Sequence, residues 1–259
     1  MINILADQWK KAGVQEGDVL LVHSSLKRTI VSCLKSYNMR LTPTDILESF
    51  IKALGPTGTL LLPLFNFDYT KGVPFDIRKT PSHMGALTEA GRLHPRAVRT
   101  GHPIYSFAVI GFSDEKFKNI NNYSGYGSDS PFAILREMNG KIGVLDLPDQ
   151  KSMTFFHHVE EMHEVDYRYH KKFLGDYTDN KGLIERRTYG LFVRKLNDGV
   201  LTHVNPAGEL LWKNGLYSGD RPGEASGLRV ISAKKMYNFV AEIITSGKAK
   251  NTLYKIKEE

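Results

Sequence analysis

Short runs that are apolar at nearly every position, alternating with amphipathic windows, narrow the folds open to this chain more than any other feature. Asp18-Val-Leu-Leu-Val-His23 and Gly58-Thr-Leu-Leu-Leu-Pro-Leu-Phe65 carry apolar side chains at successive positions, which a strand does when both of its faces are covered. Between them, Thr42–Leu54 has the punctuation of a helix. Thr42 stands at the N-cap, Pro43 at the first helical position and Asp45 three residues past the cap, with Gly55 as the stop. The alternation continues with a helix over 84–94, a strand over 106–111, a helix opened by Ser130-Pro131 and a strand over 141–147. It predicts an α/β fold with a mostly buried sheet flanked by helices. Beyond residue 167 the pattern is less regular, with a strand expected over 188–196 and helices over 206–213 and 232–245. No Pro/Gly/Ser-rich linker or internal repeat divides the chain. Residues 1–259 are therefore read as one domain whose portion 168–259 is divergent.

The chain is 41% hydrophobic and 24% charged, which rules out disordered, collagen-like and coiled-coil classes. There is no run of about 18 apolar residues and the N-terminus has no secretory pattern, so a cytoplasmic protein with no membrane partner is expected. The single cysteine, Cys33, has no partner for a disulfide or a Cys-based zinc site and reads as an inert thiol. The net charge of +7 is unevenly spread. Residues 1–167 hold 18 Lys and Arg against 18 Asp and Glu, whereas residues 168–259 hold 17 against 10. A basic C-terminal third is compatible with a solvated surface, with attraction of an anionic small molecule, or with nucleic acid. Because its short runs, such as Lys171-Lys172 and Arg186-Arg187, are scattered, nucleic acid is the weakest of the three.

The densest reactive cluster is Thr154-Phe-Phe-His157-His-Val-Glu160-Glu161-Met-His163-Glu164. In a helix, His157, Glu160, Glu161 and Glu164 fall at spacings of three and four, so an imidazole and a carboxylate share a face. A neutral histidine beside a carboxylate is a general-base arrangement, since the carboxylate fixes the tautomer and stabilises the imidazolium. The same spacing also fits a solvated acidic helix face. The segment matches neither zinc signature, His-Glu-x-x-His or His-x-x-Glu-His, and no metal is expected. At Leu21-Val-His23-Ser24-Ser25-Leu26-Lys27-Arg28 an apolar strand breaks into hydroxyls followed by cations. That composition suits an anionic group, although a plain strand-to-helix turn has it too. Walker A, Gly-x-Gly-x-x-Gly and Gly-x-Ser-x-Gly patterns are all missing, and Gly125-Tyr-Gly127-Ser128 lacks the second glycine of a nucleophile elbow. The long connections 66–82 and 113–130 are expected to carry ligand contacts.

Over roughly residues 15–170 these segments, in order and spacing, resemble the aminoglycoside 3-N-acetyltransferase family. The resemblance is carried by His23-Ser-Ser-Leu26, Gly55-Pro-Thr-Gly-Thr-Leu60, Thr80-Pro-Ser-His-Met-Gly85 with Glu89, and Arg99-Thr-Gly-His-Pro103 with Ser106-Phe107. It continues through Gly127-Ser-Asp-Ser-Pro131, Gly140-Lys-Ile-Gly143 and Thr154-Phe-Phe-His157-His-Val-Glu160. It implies a mixed central sheet and direct acyl transfer from acetyl-CoA or another acyl-CoA to a primary amine in a ternary complex. By the same resemblance His157 is the general base, Glu160 its support and Thr154 a contact to the thioester or its oxyanion. His23, Ser24, Ser25, Leu26, Lys27, Met84, Gly85, Arg99 and Ser106 are implied as parts of the CoA site, and the protein as a monomer or homodimer.

The family's best-known acceptors are polycationic antibiotics, which favour an acidic pocket. A basic C-terminal third would repel a polycation and attract an anion, whereas Glu160, Glu161, Glu164 and Asp166 form a local acidic patch suited to one ammonium. One amine beside two phosphates satisfies both features. The expected acceptor is therefore an amino sugar linked to dTDP or UDP, as in surface-polysaccharide (O-antigen) biosynthesis, with Tyr217, Arg221 and Arg229 as candidate contacts to its anionic part. An aminoglycoside 3-N-acetyltransferase of antibiotic resistance is the alternative. A non-catalytic CoA- or nucleotide-binding protein is the contrasting class, but it would have no need of a base at His157.

Overall fold

A computed structural model of the chain describes residues 1–221 and 227–257. Its centre is a seven-stranded mixed sheet. Strands β1 (Val19–Ser24), β2 (Thr59–Pro63) and β6 (Lys141–Leu145) run parallel, and β5 (Phe107–Gly111) and β4 (Val98–Arg99) continue the sheet antiparallel beyond β2. On the other side β11 (Leu228–Ser232) pairs antiparallel with β6, and β10 (Ser218–Gly219) pairs with β11. The divergent C-terminal portion therefore completes the sheet begun by the N-terminal two thirds. Two smaller sheets join β3 (Phe75–Asp76) to β7 (Arg168–Thr178) and β8 (Ile184–Arg194), and β9 (Val200–Thr202) to β12 (Tyr254–Ile256).

The continuous apolar runs divide their side chains between two cores. Leu21, Leu61, Val109, Ile142 and Val144 enter one core, while Leu20, Val22, Leu60, Leu62, Ala108 and Ile110 enter the other. Alternation along a strand sends successive side chains to opposite faces, so a sheet buried on both sides takes apolar residues at successive positions. Helices α1 (Ile2–Ala12), α2 (Leu26–Tyr37), α3 (Pro43–Leu54), α4 (Ala86–Arg92), α5 (Pro131–Glu137), α6 (Phe155–Met162), α7 (Asn205–Lys213) and α8 (Ala233–Thr245) complete the regular structure. Helix α3 starts where its sequence predicts. The Thr42 hydroxyl accepts from Asp45 N–H, and the Asp45 carboxylate accepts from Thr42 N–H at 2.8 Å. Ser130 and Ser232 likewise cap α5 and α8, accepting from Ala133 and Lys235 N–H.

Several elements lie outside the sequence reading. Helix α1 is docked by a hydrogen bond from Trp9 Nε1 to Ser49 Oγ at 2.7 Å and by stacking of Trp9 on Phe50. Strand β7 has a largely exposed first half, Tyr169–Lys172, and is held there by its ladder to β8 rather than by apolar burial. For the same reason β8 begins at Ile184, upstream of the apolar residues that advertise it. The β7–β8 hairpin rests on the two long connections. The Tyr69 hydroxyl lies 2.6 Å from the Arg187 carbonyl and 3.0 Å from that of Gly175, within donating distance of either. At Gly175 and Gly190 a β-carbon would fall 2.8 Å from the rings of Tyr69 and Tyr123, so the approach needs glycine at both positions.

Thr42→Ala removes one half of the reciprocal cap of α3. The expected loss is about 1 kcal/mol, seen as a lower urea midpoint with an unchanged m value; an unmoved midpoint would show that the cap contributes nothing to global stability.

Candidate active site

Helix α6 follows β6 after a short loop, and a buried polar network fixes the entry. Tyr217 donates to Asp149 Oδ1 at 2.6 Å, Arg229 Nη2 lies 3.3 Å from Asp149 Oδ2, and Arg229 Nη1 donates to the Leu147 carbonyl at 2.6 Å. Asp149, Tyr217 and Arg229 are all buried. This corrects the expectation for Tyr217 and Arg229, whose polar groups are committed to positioning the loop and do not line the cavity described below. Arg221, the third candidate, pairs with Glu209 on α7 and is also outside that cavity.

Once started, α6 buries Phe155, Phe156 and Val159. His158 turns into the interior, 2.7 Å from the Tyr126 carbonyl, and burial lowers its pKa to about 4. His157 points the other way. Its Nδ1 lies 2.8 Å from Glu160 Oε2, and its ring meets Tyr126 edge-on. Its Nε2 has no hydrogen bond among the described residues, and the side chain, 18% exposed, reaches a cavity of about 600 Å³.

Glu160 is fully buried. Burial alone would raise its pKa, but the Arg168 guanidinium, with His157 and Tyr167, offsets this and holds the carboxyl below its ordinary range. Arg168 Nε lies 2.7 Å from Glu160 Oε2, Tyr167 donates to Oε1 at 3.0 Å, and Arg168 Nη1 donates to the Phe192 carbonyl. Arg168 Nη2 is also 2.8 Å from His157 Nδ1. An ionised carboxylate only accepts hydrogen bonds and a guanidinium only donates them, so Glu160 selects the Nδ1–H tautomer, while Arg168 favours an unprotonated Nδ1. Selection by Glu160 leaves the Nε2 lone pair facing the cavity. Burial and then Arg168 lower the His157 pKa, with Glu160 pulling against them. The ring is thus neutral where an ordinary histidine has begun to protonate.

The cavity has an aromatic wall of Phe67, Tyr105 and Tyr126, drawn from the long connections 66–82 and 113–130 or beside them, and a basic side formed by Arg168, Lys171 and Arg194 of the β7–β8 hairpin. Among the described residues no Asp or Glu lines it. The acidic patch expected around the helix is not in the cavity: Glu160 is paired internally, Glu161 is buried and accepts from Ser124 Oγ at 2.8 Å, and Glu164 and Asp166 face solvent elsewhere. The sequence offers Arg194 only as part of a short basic run and gives no sign of Arg168 or Tyr167 as site residues, because they lie outside the helix, with no characteristic spacing from it.

The remaining candidate residues lie around the C-terminal ends of the strands or farther away. Thr154 occupies the N-cap position of α6, its carbonyl accepting from His157 N–H, and its side chain makes no cap bond. His23, at the end of β1, is buried with Nε2 unpartnered, and burial lowers its pKa to about 4. Ser24 and Ser25 follow it, with Ser25 at the N-cap of α2 making no side-chain cap bond, Leu26 opening the helix and Lys27 exposed. The His23 ring contacts Phe65, and Phe65 contacts Tyr105, so this segment sits behind the aromatic wall. Met84 packs against the core, and Gly85 has φ 109° at the start of α4, with open space where a β-carbon would stand. Arg99 and Ser106 are bonded to each other at 3.1 Å. Arg99 also donates to the carbonyls of Ile77 and Thr80 and faces a second cavity with Arg78, Arg92 and Lys118. The structure does not bring these two to His157. Among the described residues no cluster of His, Cys, Asp and Glu is arranged to hold a metal, and no helix is long and apolar enough to cross a membrane.

A family model described as aminoglycoside 3-N-acetyltransferase matches residues 21–245. The chain belongs to this family. The match runs well past residue 170, so the C-terminal portion departs from the family pattern less than its sequence suggests. One relative, aminoglycoside N(3)-acetyltransferase IV from a Salmonella species, is 29% identical over 172 residues, which is 62% of each chain. The chain thus aligns with less than two thirds of that relative's length. Among solved structures, AAC-IIIb in a binary complex with CoASH superposes with a TM-score of 0.80 at 22% identity, covering 95% of this chain and 97% of its own. AAC-VIa bound to sisomicin superposes with a TM-score of 0.76 at 21% identity, covering 95% and 97%. These likenesses establish the α/β fold with its mixed central sheet.

Arg168→Gln removes the cation that offsets the burial of Glu160, so the Glu160 carboxyl should titrate at higher pH in a carboxyl-selective NMR titration; an unchanged midpoint would mean that Arg168 does not keep it ionised. Asp149→Ala leaves the buried Arg229 without its carboxylate and should cost about 3 kcal/mol or more, measured by urea unfolding. A change below about 1 kcal/mol would show that the network is dispensable.

Proposed function

We propose that this protein is an acyl-CoA-dependent N-acyltransferase acting on a primary amine of an amino sugar, with His157 as general base. The observation that carries the reading is a neutral imidazole whose Nε2 opens on the cavity while a buried carboxylate holds Nδ1. An amine attacks only through its free lone pair. In the proposed reaction Nε2 takes a proton from the acceptor nitrogen, that nitrogen bonds to the thioester carbonyl carbon, and the carbon–sulfur bond breaks. The leaving sulfur takes that proton from the His157 imidazolium and departs as thiol, which restores the neutral ring. Glu160 stabilises the transient imidazolium, and Thr154, one turn before His157, is assigned to the thioester oxygen.

Acyl-CoA is assigned to the side of the aromatic wall where the unpartnered His23 Nε2, the Ser24 and Ser25 hydroxyls and the free N–H groups opening α2 form a polar cradle beside Lys27. Such helix starts favour anionic and carbonyl oxygens. Met84, Gly85, Arg99 and Ser106 are assigned to the same substrate only through the family resemblance.

For the acceptor, the names of the relatives favour the amine of an aminoglycoside. A second reading, a nucleotide-linked amino sugar, draws support from the basic side of the cavity and its lack of carboxylates among the described residues. A thiol-release assay with acetyl-CoA, offering aminoglycosides and nucleotide-linked amino sugars in parallel, separates the two.

His157→Ala should lower kcat by about 10²–10⁴-fold with little effect on CoA affinity; an unchanged kcat removes His157 from the role. Because the His157 pKa is depressed, the acid limb of kcat/KM should lie below the ordinary histidine value of 6.5. Glu160→Gln removes the group that raises that pKa, so the limb should move to still lower pH as kcat falls, and a stationary limb would reduce Glu160 to a structural residue.

A further inference from the structure

Strand pairing places Arg194 of β8 directly opposite Arg168 of β7, and like charges facing each other across a ladder are destabilising. The Arg168 charge is answered inside the protein by Glu160. The Arg194 charge is not: among the described residues no carboxylate lies within ion-pair distance of it. Lys171 likewise has no carboxylate partner among the described residues, and its ammonium lies over the Phe173 ring at 5.5 Å. Both side chains line the cavity that holds His157, and the Arg194 charge is close enough to contribute to the low basicity of that ring. The neighbouring wall is aromatic, suited to the flat face of a sugar or base. Among the described residues, a polyammonium ligand entering here would meet three cations and no carboxylate.

From this arrangement we propose that Lys171 and Arg194 form an anion subsite for the acceptor, so that the amine acylated at His157 belongs to a molecule bearing a phosphate or diphosphate. A guanidinium offers a paired set of donors to phosphate oxygens and an ammonium offers a point charge. The proposal rests on the acyl-transfer reading for the position of the amine, but not for the binding of the anion. Acyl-CoA is the other possible source of phosphate. It is assigned to the far side of the aromatic wall, and the experiment separates the two sources.

The test is calorimetric titration of UDP, dTDP and sisomicin into the CoA-loaded protein, at low and high salt, for the wild type and for the Lys171→Gln/Arg194→Gln double variant. Nucleoside diphosphates should bind the wild type, weaken with salt, and bind the variant about 10–100-fold more weakly, while CoA affinity and thermal midpoint stay unchanged. No diphosphate binding to the wild type, or equal binding to both proteins, overturns the subsite. So does a matching loss of CoA affinity in the variant, which would give the two cations to the co-substrate. If thiol release fails with every amine while the charge-dependent diphosphate binding persists, the acyl-transfer reading falls and the subsite stands.

Discussion

The site depends on keeping one carboxylate ionised in the interior. Glu160 has almost no contact with water, and burial by itself would drive it to the protonated form. A neutral carboxyl would still hydrogen-bond His157, but it would not stabilise a proton on the ring. The Arg168 guanidinium and the Tyr167 hydroxyl change that balance. Arg168 opens β7 and Tyr167 directly precedes it, whereas Glu160 comes from α6, so the electrostatics of the site and the docking of the hairpin are one requirement. Removing either member would leave a buried charge without its partner, the costly case for ion pairs in a protein interior.

Arg168 also introduces a tension into the site. The cation that keeps Glu160 ionised lies against the same imidazole nitrogen that Glu160 contacts. The pair therefore sets the His157 ring between two demands, a neutral resting state and a stabilised protonated state. A base near neutral pH needs both, since it must be free of its proton before reaction and must hold one during it. His158, one residue away, has the same chemistry and none of this setting. Its Nδ1 is tied to a backbone carbonyl and its ring is closed off from the cavity.

The basic C-terminal third has two separate structural tasks. Through β10 and β11 it extends the central sheet, and through Arg229 it anchors the loop that launches α6. Through the hairpin it covers the aromatic wall with Arg168, Lys171 and Arg194. The hairpin can lie so close to the connections beneath it only because Gly175 and Gly190 leave room for Tyr69 and Tyr123. Three cations of this third thus form the charged side of one cavity.

Much of this was legible in the sequence because it rests on local periodicity and punctuation. Continuous apolar runs demand a sheet covered on both faces, Thr42-Pro43 and Ser130-Pro131 start helices, and the His157–Glu160 spacing puts imidazole and carboxylate on one helical face. Each depends only on backbone geometry within a few residues. The tertiary structure decided which histidine faces the cavity, that Glu160 is buried and answered by Arg168, that Glu161 bonds to Ser124 away from the cavity, and that Tyr217 and Arg229 are anchors rather than ligand contacts. It also joined the C-terminal strands to the central sheet and set Arg194 opposite Arg168. Those outcomes depend on contacts between residues far apart in the chain, and on burial, which changes the charge a side chain will carry. Neither has a period or a fixed spacing that a linear sequence can display.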